Sequence, residues 1–399
     1  MGLKVDPDLM KELKHFGLKD ANKCFHCGNC TAVCPLSTPD NPFPRRLVKY
    51  AQMGLKDKIM TSPEPWLCYY CGDCSQRCPR GADPGETMMV MRRYLTANYD
   101  FTGFARRFYT SEIFELAAVA AVAGLIWLAF YLFGGPMITD RAKLDAMGVS
   151  VALNTFAPAK IIEILDLLMA ALLSAVLLTN VYRCAKFVMG DLLFKIPLKT
   201  YIGRLIDLIW NTATQWQFSK CTDRWQWLVH FLIMTGYSSV FLMVVVGIRW
   251  FQRDTIIHPD YPNFSVLMSL VGYYATFAIM YGTTYALLGR LSKSKPPYQN
   301  SHGTDWMFLI LLQLTTITGI LVHVFIYLGW ALPTYYIYVI HLMVAIPMLT
   351  LEVPFAKWAH LAYRPVVLFL MRVKEDYLAT QPATAAATVS TAAQEAKTA

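Results

Sequence analysis

Residues 24–35 read CFHCGNCTAVCP and residues 68–79 read CYYCGDCSQRCP. Each is a Cys-x2-Cys-x2-Cys-x3-Cys-Pro run. Thiolates at this spacing wrap an iron–sulfur cubane, and in paired runs the fourth cysteine of each reaches the other cluster. The pattern assigns Cys24, Cys27, Cys30 and Cys78 to one [4Fe–4S] cluster, and Cys68, Cys71, Cys74 and Cys34 to a second. Two zinc sites or four disulfides are the alternatives. Zinc uses paired Cys-x2-Cys units rather than four-cysteine runs ending in proline, and a cytoplasmic domain disfavours disulfides. His26, inside the first run, reads as an exposed residue; the alternative is a hydrogen bond that tunes a cluster.

Beyond these runs the chain changes character. It has 399 residues and a net charge of +9, with 55% apolar and only 16% charged residues. Soluble domains carry about 25% charged residues, so a purely soluble protein is excluded, as is wholesale disorder. Residues 1–110 hold 16 Lys and Arg against 11 Asp and Glu, which is more than half of the net charge. The basic balance therefore reports topology and docking to acidic partners; no nucleic-acid binding is expected. The first twenty residues are charged and amphipathic, without the apolar core of a signal peptide. Asp6 stands where a myristoylation signal needs Ser or Thr. Cys184 and Cys221 read as free thiols near the inner membrane face.

Six apolar stretches are long enough to cross a bilayer, at about residues 111–133, 161–182, 227–250, 266–288, 306–329 and 335–360. Basic residues concentrate after the second stretch (Arg183, Lys186, Lys195, Lys199, Arg204, Lys220, Arg224) and after the fourth (Arg290, Lys293, Lys295). The positive-inside rule then places both termini in the cytoplasm of a bacterial or archaeal cell, with the lipid bilayer as a partner. Within the longer loop, FKIPLKTYIGRLIDLIW reads as a helix lying in the membrane interface, with a buried soluble helix as the alternative. Residues 376–399, rich in Ala and Thr, read as a disordered tail.

Four histidines fall in or at the ends of the stretches: His230, His323, His341 and His360. Ionisable groups there are costly and mark function. His230 and His360 lie at the inner side. His323 and His341 each lie about six residues from an outer end, so both are expected at a depth of about 9 Å. Two pairs at two depths suit bis-histidine ligation of two b-type haems. The span-six histidines are 19 residues apart and off a common helical face; Pro347 and Pro354 supply a kink that brings them round. His258 is a spare candidate for the outer ligand, and His15 and His302 read as surface residues. Glu163, Asp166 and Glu352 are the candidate proton acceptors of a quinone site, although pairing of each with a basic group, or a place beside a haem propionate, is the favoured reading. Tyr237, Tyr273 and Tyr274 read as packing residues. No dinucleotide fingerprint and no P-loop is present.

The stretches FPRRLVKYAQMGLKDK and WLCYYCGDCSQRCPRGADPG, with the first cysteine run, resemble the small iron–sulfur C subunit of heterodisulfide reductases, over about residues 20–95. HLMVAIPMLTLEVPFAKWAH resembles the last haem-binding helix of the nitrate reductase gamma subunit and of the membrane-embedded E subunit of heterodisulfide reductase. FSKCTDRWQWLVHF, around His230, is similar to the latter. Where the gamma subunit has a second histidine ten residues on, this chain has Val240, so His323 has to replace that ligand.

Such a C subunit fused to such an E subunit resembles the membrane C subunits of quinone-interacting membrane-bound oxidoreductase (Qmo) complexes. The resemblance implies a mainly α fold, with a helical dicluster ferredoxin domain at 1–105 joined to a six-helix transmembrane cytochrome b-type domain at 106–375. It implies menaquinone as substrate, the flavoprotein and iron–sulfur A and B subunits of the Qmo complex as partners, and adenylylsulfate reductase beyond them. The implied role is an electron relay from menaquinol through two haems b and two [4Fe–4S] clusters, with the sulfur chemistry on another chain. A relay of the same type serving a heterodisulfide reductase or an electron-transfer flavoprotein is the alternative, as is a haem-free membrane anchor.

Overall fold

The computed structural model describes residues 4–216, 218–220, 223–251 and 262–381. Among them every regular element is helical. Residues 4–110 form short helices around one long buried helix, Pro84–Tyr99, whose start is capped by the Asp83 carboxylate accepting from the Glu86 amide. Leu9, Leu13 and Phe16 share a core with Met88, Met91 and Tyr94. The same core continues through Trp66 into Cys184, Val188, Tyr363 and Val367 of the membrane part. Burial of such side chains stabilises by about 1.5–3 kcal/mol each, so the two parts are joined by hydrophobic packing.

Six helices are long and apolar enough to cross a membrane: Glu112–Phe133, Ala159–Met189, Arg224–Val244, Ser265–Ser292, Gly303–Tyr327 and Ala331–Phe355. The first five fall where hydropathy placed them, and the second and fourth run further at their C-terminal ends. The first two bury almost nothing against protein, and Leu125, Trp127, Phe133, Leu168 and Leu172 stand exposed on them. An apolar surface of that extent needs lipid or a partner over it.

Three expectations change. The sixth span does not run on to His360. After Pro347 the helix widens into a π-helical stretch, Met348–Glu352. It stops at Phe355, because Ala356 is extended (φ −116°, ψ −152°), and His360 opens a new helix, His360–Ala379. The kink expected from the two prolines is thus real, and it is stronger than a bend. Second, residues 376–379, expected in the tail, complete that helix; residues 382–399 lie outside the described residues. Third, the segment expected at the interface holds two helices, Leu198–Gly203 and Leu205–Thr214, neither with a buried residue, while Ile196 just before them is buried. Ile202, Ile206, Ile209 and Trp210 are exposed, so these two helices are not buried ones. Arg204 anchors the segment through Nε, 2.5 Å from Asp376.

Candidate redox sites

The two cysteine runs fold alike. His26 and Tyr70, each two residues after the first cysteine of its run, have φ of 62° and 57°. Gly28 and Gly72, after the second cysteine, have φ of 93° and 87° and start the short helices Asn29–Val33 and Asp73–Gln76. The left-handed turn is what glycine permits at little cost, and it wraps each Cys-x2-Cys-x2-Cys segment around a common centre.

Cys24, Cys27, Cys30 and Cys78 line one small pocket. The fourth cysteine of the second run therefore joins the first three of the first run. The crossing is reciprocal: the thiols whose charges act most on Cys34 are Cys68 and Cys71, and those acting on Cys74 are Cys68, Cys71 and Cys34. All eight are free thiols. Burial pushes the thiols of Cys30, Cys71 and Cys74 up, and that of Cys34 to about 11. A bound cationic metal centre offsets that cost of forming thiolates. Backbone amides of Tyr70 and Ala82 donate to the sulfurs of Cys68 and Cys78 at 3.4 and 3.3 Å. His26 is not simply exposed. It is half-buried, its Nε2 lies 2.6 Å from Gln52 Oε1, and its Nδ1 lies 3.9 Å from Cys24 Sγ.

His230 and His360 come together across a cavity of about 310 Å³. Their ring centroids are 6.2 Å apart with an interplanar angle of 61°. His230 Nδ1 lies 2.5 Å from Gln215 Oε1, and His360 Nδ1 lies 2.6 Å from the Lys357 carbonyl. Each acceptor holds the Nδ1 proton and leaves Nε2 as the lone-pair nitrogen, the usual outer arrangement of a metal-binding histidine. An imidazole nitrogen binds a first-row metal at about 2 Å, so two rings on opposite sides of one metal have centroids about 6 Å apart. The pair fits bis-histidine ligation. Tyr69, Tyr70 and Arg92, from the iron–sulfur part, line the same cavity. Arg92 donates to the carbonyls of Pro65 and Cys68, so the second cysteine run abuts the histidine pair.

The outer histidines are placed differently from expectation. His323 is four residues before the end of its helix, and His341 ten after the start of its own. At about 1.5 Å per residue they lie roughly 6 and 15 Å along their helices, so equal depth is not found. The loop between the helices is shorter than hydropathy suggested, which moves the start of the sixth span outward. His323 Nε2 lies 2.8 Å from the Tyr273 hydroxyl, and His341 Nδ1 lies 3.0 Å from Thr318 Oγ1. His258, like Cys221, is outside the described residues.

None of Glu163, Asp166 and Glu352 lines the cavity. Glu352 is fully buried, and its carboxyl meets that of buried Glu115 on the first span, so its neighbour is neither a basic group nor part of the cavity. Glu163 and Asp166 are half-buried on the second span. Tyr237 packs on Trp358 at 4.8 Å, but Tyr273 and Tyr274 use their hydroxyls, the latter 2.7 Å from Thr235 Oγ1. His302 is no surface residue: its ring and Asp305 form a capping box at the start of the fifth span. Sequence reading missed Gln215, Arg92 and the Lys357–Asp305 pair at 2.6 Å, of which the carboxylate is buried. Only Arg364, one turn beyond His360, stood in a legible register.

Comparison with known proteins bears on the iron–sulfur part. Residues 20–82 match the 4Fe-4S dicluster domain family. The chain is 34% identical over 88 residues to a protein of Archaeoglobus profundus that is like the C subunit of heterodisulfide reductase, covering 22% of this chain and 47% of that one. It is 36% identical over 63 residues to the C subunit of the H(2):CoB-CoM heterodisulfide,ferredoxin reductase of Methanothermobacter thermautotrophicus, covering 16% and 34%. It thus spans less than half the length of these curated relatives. No solved structure matches. The chain joins an N-terminal 4Fe–4S dicluster domain, an electron-transfer module, to six apolar helices compatible with a multi-pass membrane protein.

Proposed function

We propose that this chain is the membrane component of a quinone-linked oxidoreductase, carrying electrons between menaquinol in the bilayer and soluble flavoprotein and iron–sulfur partners. Cys24, Cys27, Cys30 and Cys78 hold one [4Fe–4S] cluster, and Cys68, Cys71, Cys74 and Cys34 the other. His230 and His360 hold an inner haem b through their Nε2 atoms. A second haem b sits further out on His341, with its opposite ligand from His323 or His258. When bound, these groups accept and pass on single electrons. The chain's own work is to hold them in line, keep water from the cavity and shape the docking face. The loops rich in Lys and Arg and both termini face the cytoplasm in this reading.

The observation that carries the proposal is the His230–His360 pair, with both Nδ1 atoms capped, beside the second cysteine run. A reduced-minus-oxidised visible spectrum with a haem-to-iron ratio tests it. Absence of b-type absorption sinks the haem assignment and leaves a membrane anchor with an active iron–sulfur part. By the resemblance to Qmo membrane proteins, the soluble partners pass electrons to adenylylsulfate reductase in sulfate respiration. The names of the matched relatives favour a second reading, a heterodisulfide-type reductase as the partner. Co-purification with the intact membrane complex decides between them.

A further inference from the structure

Glu115 and Glu352 meet outside the cavity, where the first span passes the π-helical stretch of the sixth. Both side chains are buried. Neither oxygen of Glu352 has a hydrogen-bond partner among the described residues, and one oxygen of Glu115 has none either. Besides Glu352, the charges that act on Glu115 are those of Glu112 and Asp305, and the charge that acts on Glu352 is that of Glu115. All of these groups are acids, and Asp305 already has Lys357 and Arg290 as partners. Ionised carboxyls are acceptors only. As two carboxylates the pair therefore has like charges in contact, no cation and no hydrogen to bond with, inside a span where charge is costly. One proton between them removes a charge and turns the contact into a hydrogen bond, as in acid dyads that cannot ionise both members. A hard metal ion is a poorer occupant, because it takes about six or more oxygens. The π-helical turn that carries Glu352 is itself a feature frequent at functional sites.

The pair has neighbours on two sides. Glu112, one helical turn before Glu115 at the iron–sulfur end of the first span, is exposed. Tyr109 is buried and lines the cavity of His230 and His360, and the charges of Arg93, Asp305 and Glu352 all act on it.

We propose that Glu115 and Glu352 hold one proton between them and form a proton store, filled from the iron–sulfur side through Glu112 and responsive to the charge in the cavity behind Tyr109. As one electron from quinol enters that cavity, the remaining carboxylate takes up one proton from water at Glu112. As the electron leaves for the iron–sulfur part, that proton returns by the same route, so each step is neutral. The response to electrons rests on the relay reading above; the shared proton does not.

The test is infrared spectroscopy of the full chain in its membrane complex, with Glu115→Gln, Glu352→Gln, the double variant and Glu112→Gln. The wild type is expected to show a carbonyl band of a protonated carboxyl that changes in either single variant, is lost from the double variant, and shifts on transfer to heavy water. A glutamine amide donates as the protonated acid did, so these variants are expected to assemble; if the double variant fails, the single ones decide. If none of the three alters that band, the shared proton is wrong. Glu112→Gln is expected to keep the band and slow its heavy-water shift several-fold, and an unchanged rate overturns the entry route. On reduction the wild-type band is expected to gain intensity. A band that ignores reduction, in a sample that shows b-type haem, overturns the store. A wild type without b-type haem defeats the relay reading instead, and the visible spectrum of the same sample tells the two failures apart.

Discussion

The imidazoles of His230 and His360 face one another at 6.2 Å between centroids, from helices that begin at Arg224 and at His360 itself. His360 is aimed by the helix break at Ala356, which frees it from the axis of the sixth span. Replacing either histidine by alanine removes one bond of a two-bond ligation. Both variants are expected to lose the same haem component from the difference spectrum, with the iron–sulfur signals retained. Loss of different components in the two variants would show that the rings serve separate centres.

The crossed cysteines make a sharper prediction. Cys78 lies with Cys24, Cys27 and Cys30, and Cys34 lies among Cys68, Cys71 and Cys74. Cys34→Ser, in the first run, should damage the cluster of the second run. Cys78→Ser should damage the cluster of the first. Electron paramagnetic resonance of the reduced variants checks this, with Cys27→Ser and Cys71→Ser giving the reference spectra for each cluster. If Cys34→Ser matches Cys27→Ser, each run closes on itself and the crossing is wrong.

The nearness of Cys78 to the first run was legible because the spacing of the cysteines implies it. The spans were legible because lipid demands about twenty apolar residues in a row. The partners of His230 and His360 were not. Gln215 caps the end of the helix Leu205–Thr214 and Arg92 comes from the iron–sulfur part, and no periodicity links them to the histidines. The depth of His341 depended on where Trp330 ends a loop, and hydropathy blurs ends by several residues. The Glu115–Glu352 contact joins the first span to a π-helical stretch, a register that an ideal helix does not predict.

The outer histidines separate two models of the second centre. His341 lies against Gly319, where a side-chain carbon would sit 3.2 Å from its ring, so the ring has a close, built position. His323 is held by Tyr273. His341→Ala is expected to remove one haem of two. His323→Ala removes the same haem if His323 is the opposite ligand, and leaves it if His258 is. Haem content per eight cluster irons is the measurement, and retention of both haems in His341→Ala would exclude an outer haem on that residue.

Gly72 couples the second cluster to the membrane part. Its φ is +87°, and an added Cβ would lie 2.2 Å from Pro296 Cβ, in the loop after the fourth span. Asn300 of the same loop donates to Asp83. The left-handed backbone costs an L-residue about 1–2 kcal/mol, and overpacking about 1–3. Gly72→Ala is therefore expected to destabilise by about 2–5 kcal/mol and to perturb the second cluster more than the first. Thermal unfolding in detergent and cluster spectra report this; an unchanged midpoint would mean that the loop yields freely. Gly81→Ala is a useful contrast, since it shares the positive φ (+61°) but meets nothing within 4 Å.

His302 supplies a pH dependence. Burial, then the neighbouring Arg93, draws its pKa down from 6.5 to about 4, with Lys357 acting in the same sense and Asp305 and the Tyr109 backbone opposing. The folded protein therefore keeps this ring neutral where the unfolded chain already protonates it. Between about pH 6.5 and 4 the unfolded state binds more protons, so stability falls as pH falls through that window and is full above it. The neutral ring also caps the fifth span by accepting from the Thr304 amide, a bond that protonation of Nδ1 removes. His302→Asn keeps a capping acceptor but cannot titrate, so its unfolding temperature should depend less on pH over that interval and match the wild type near pH 8. Parallel pH profiles for the two proteins would show that this histidine is not the group responsible.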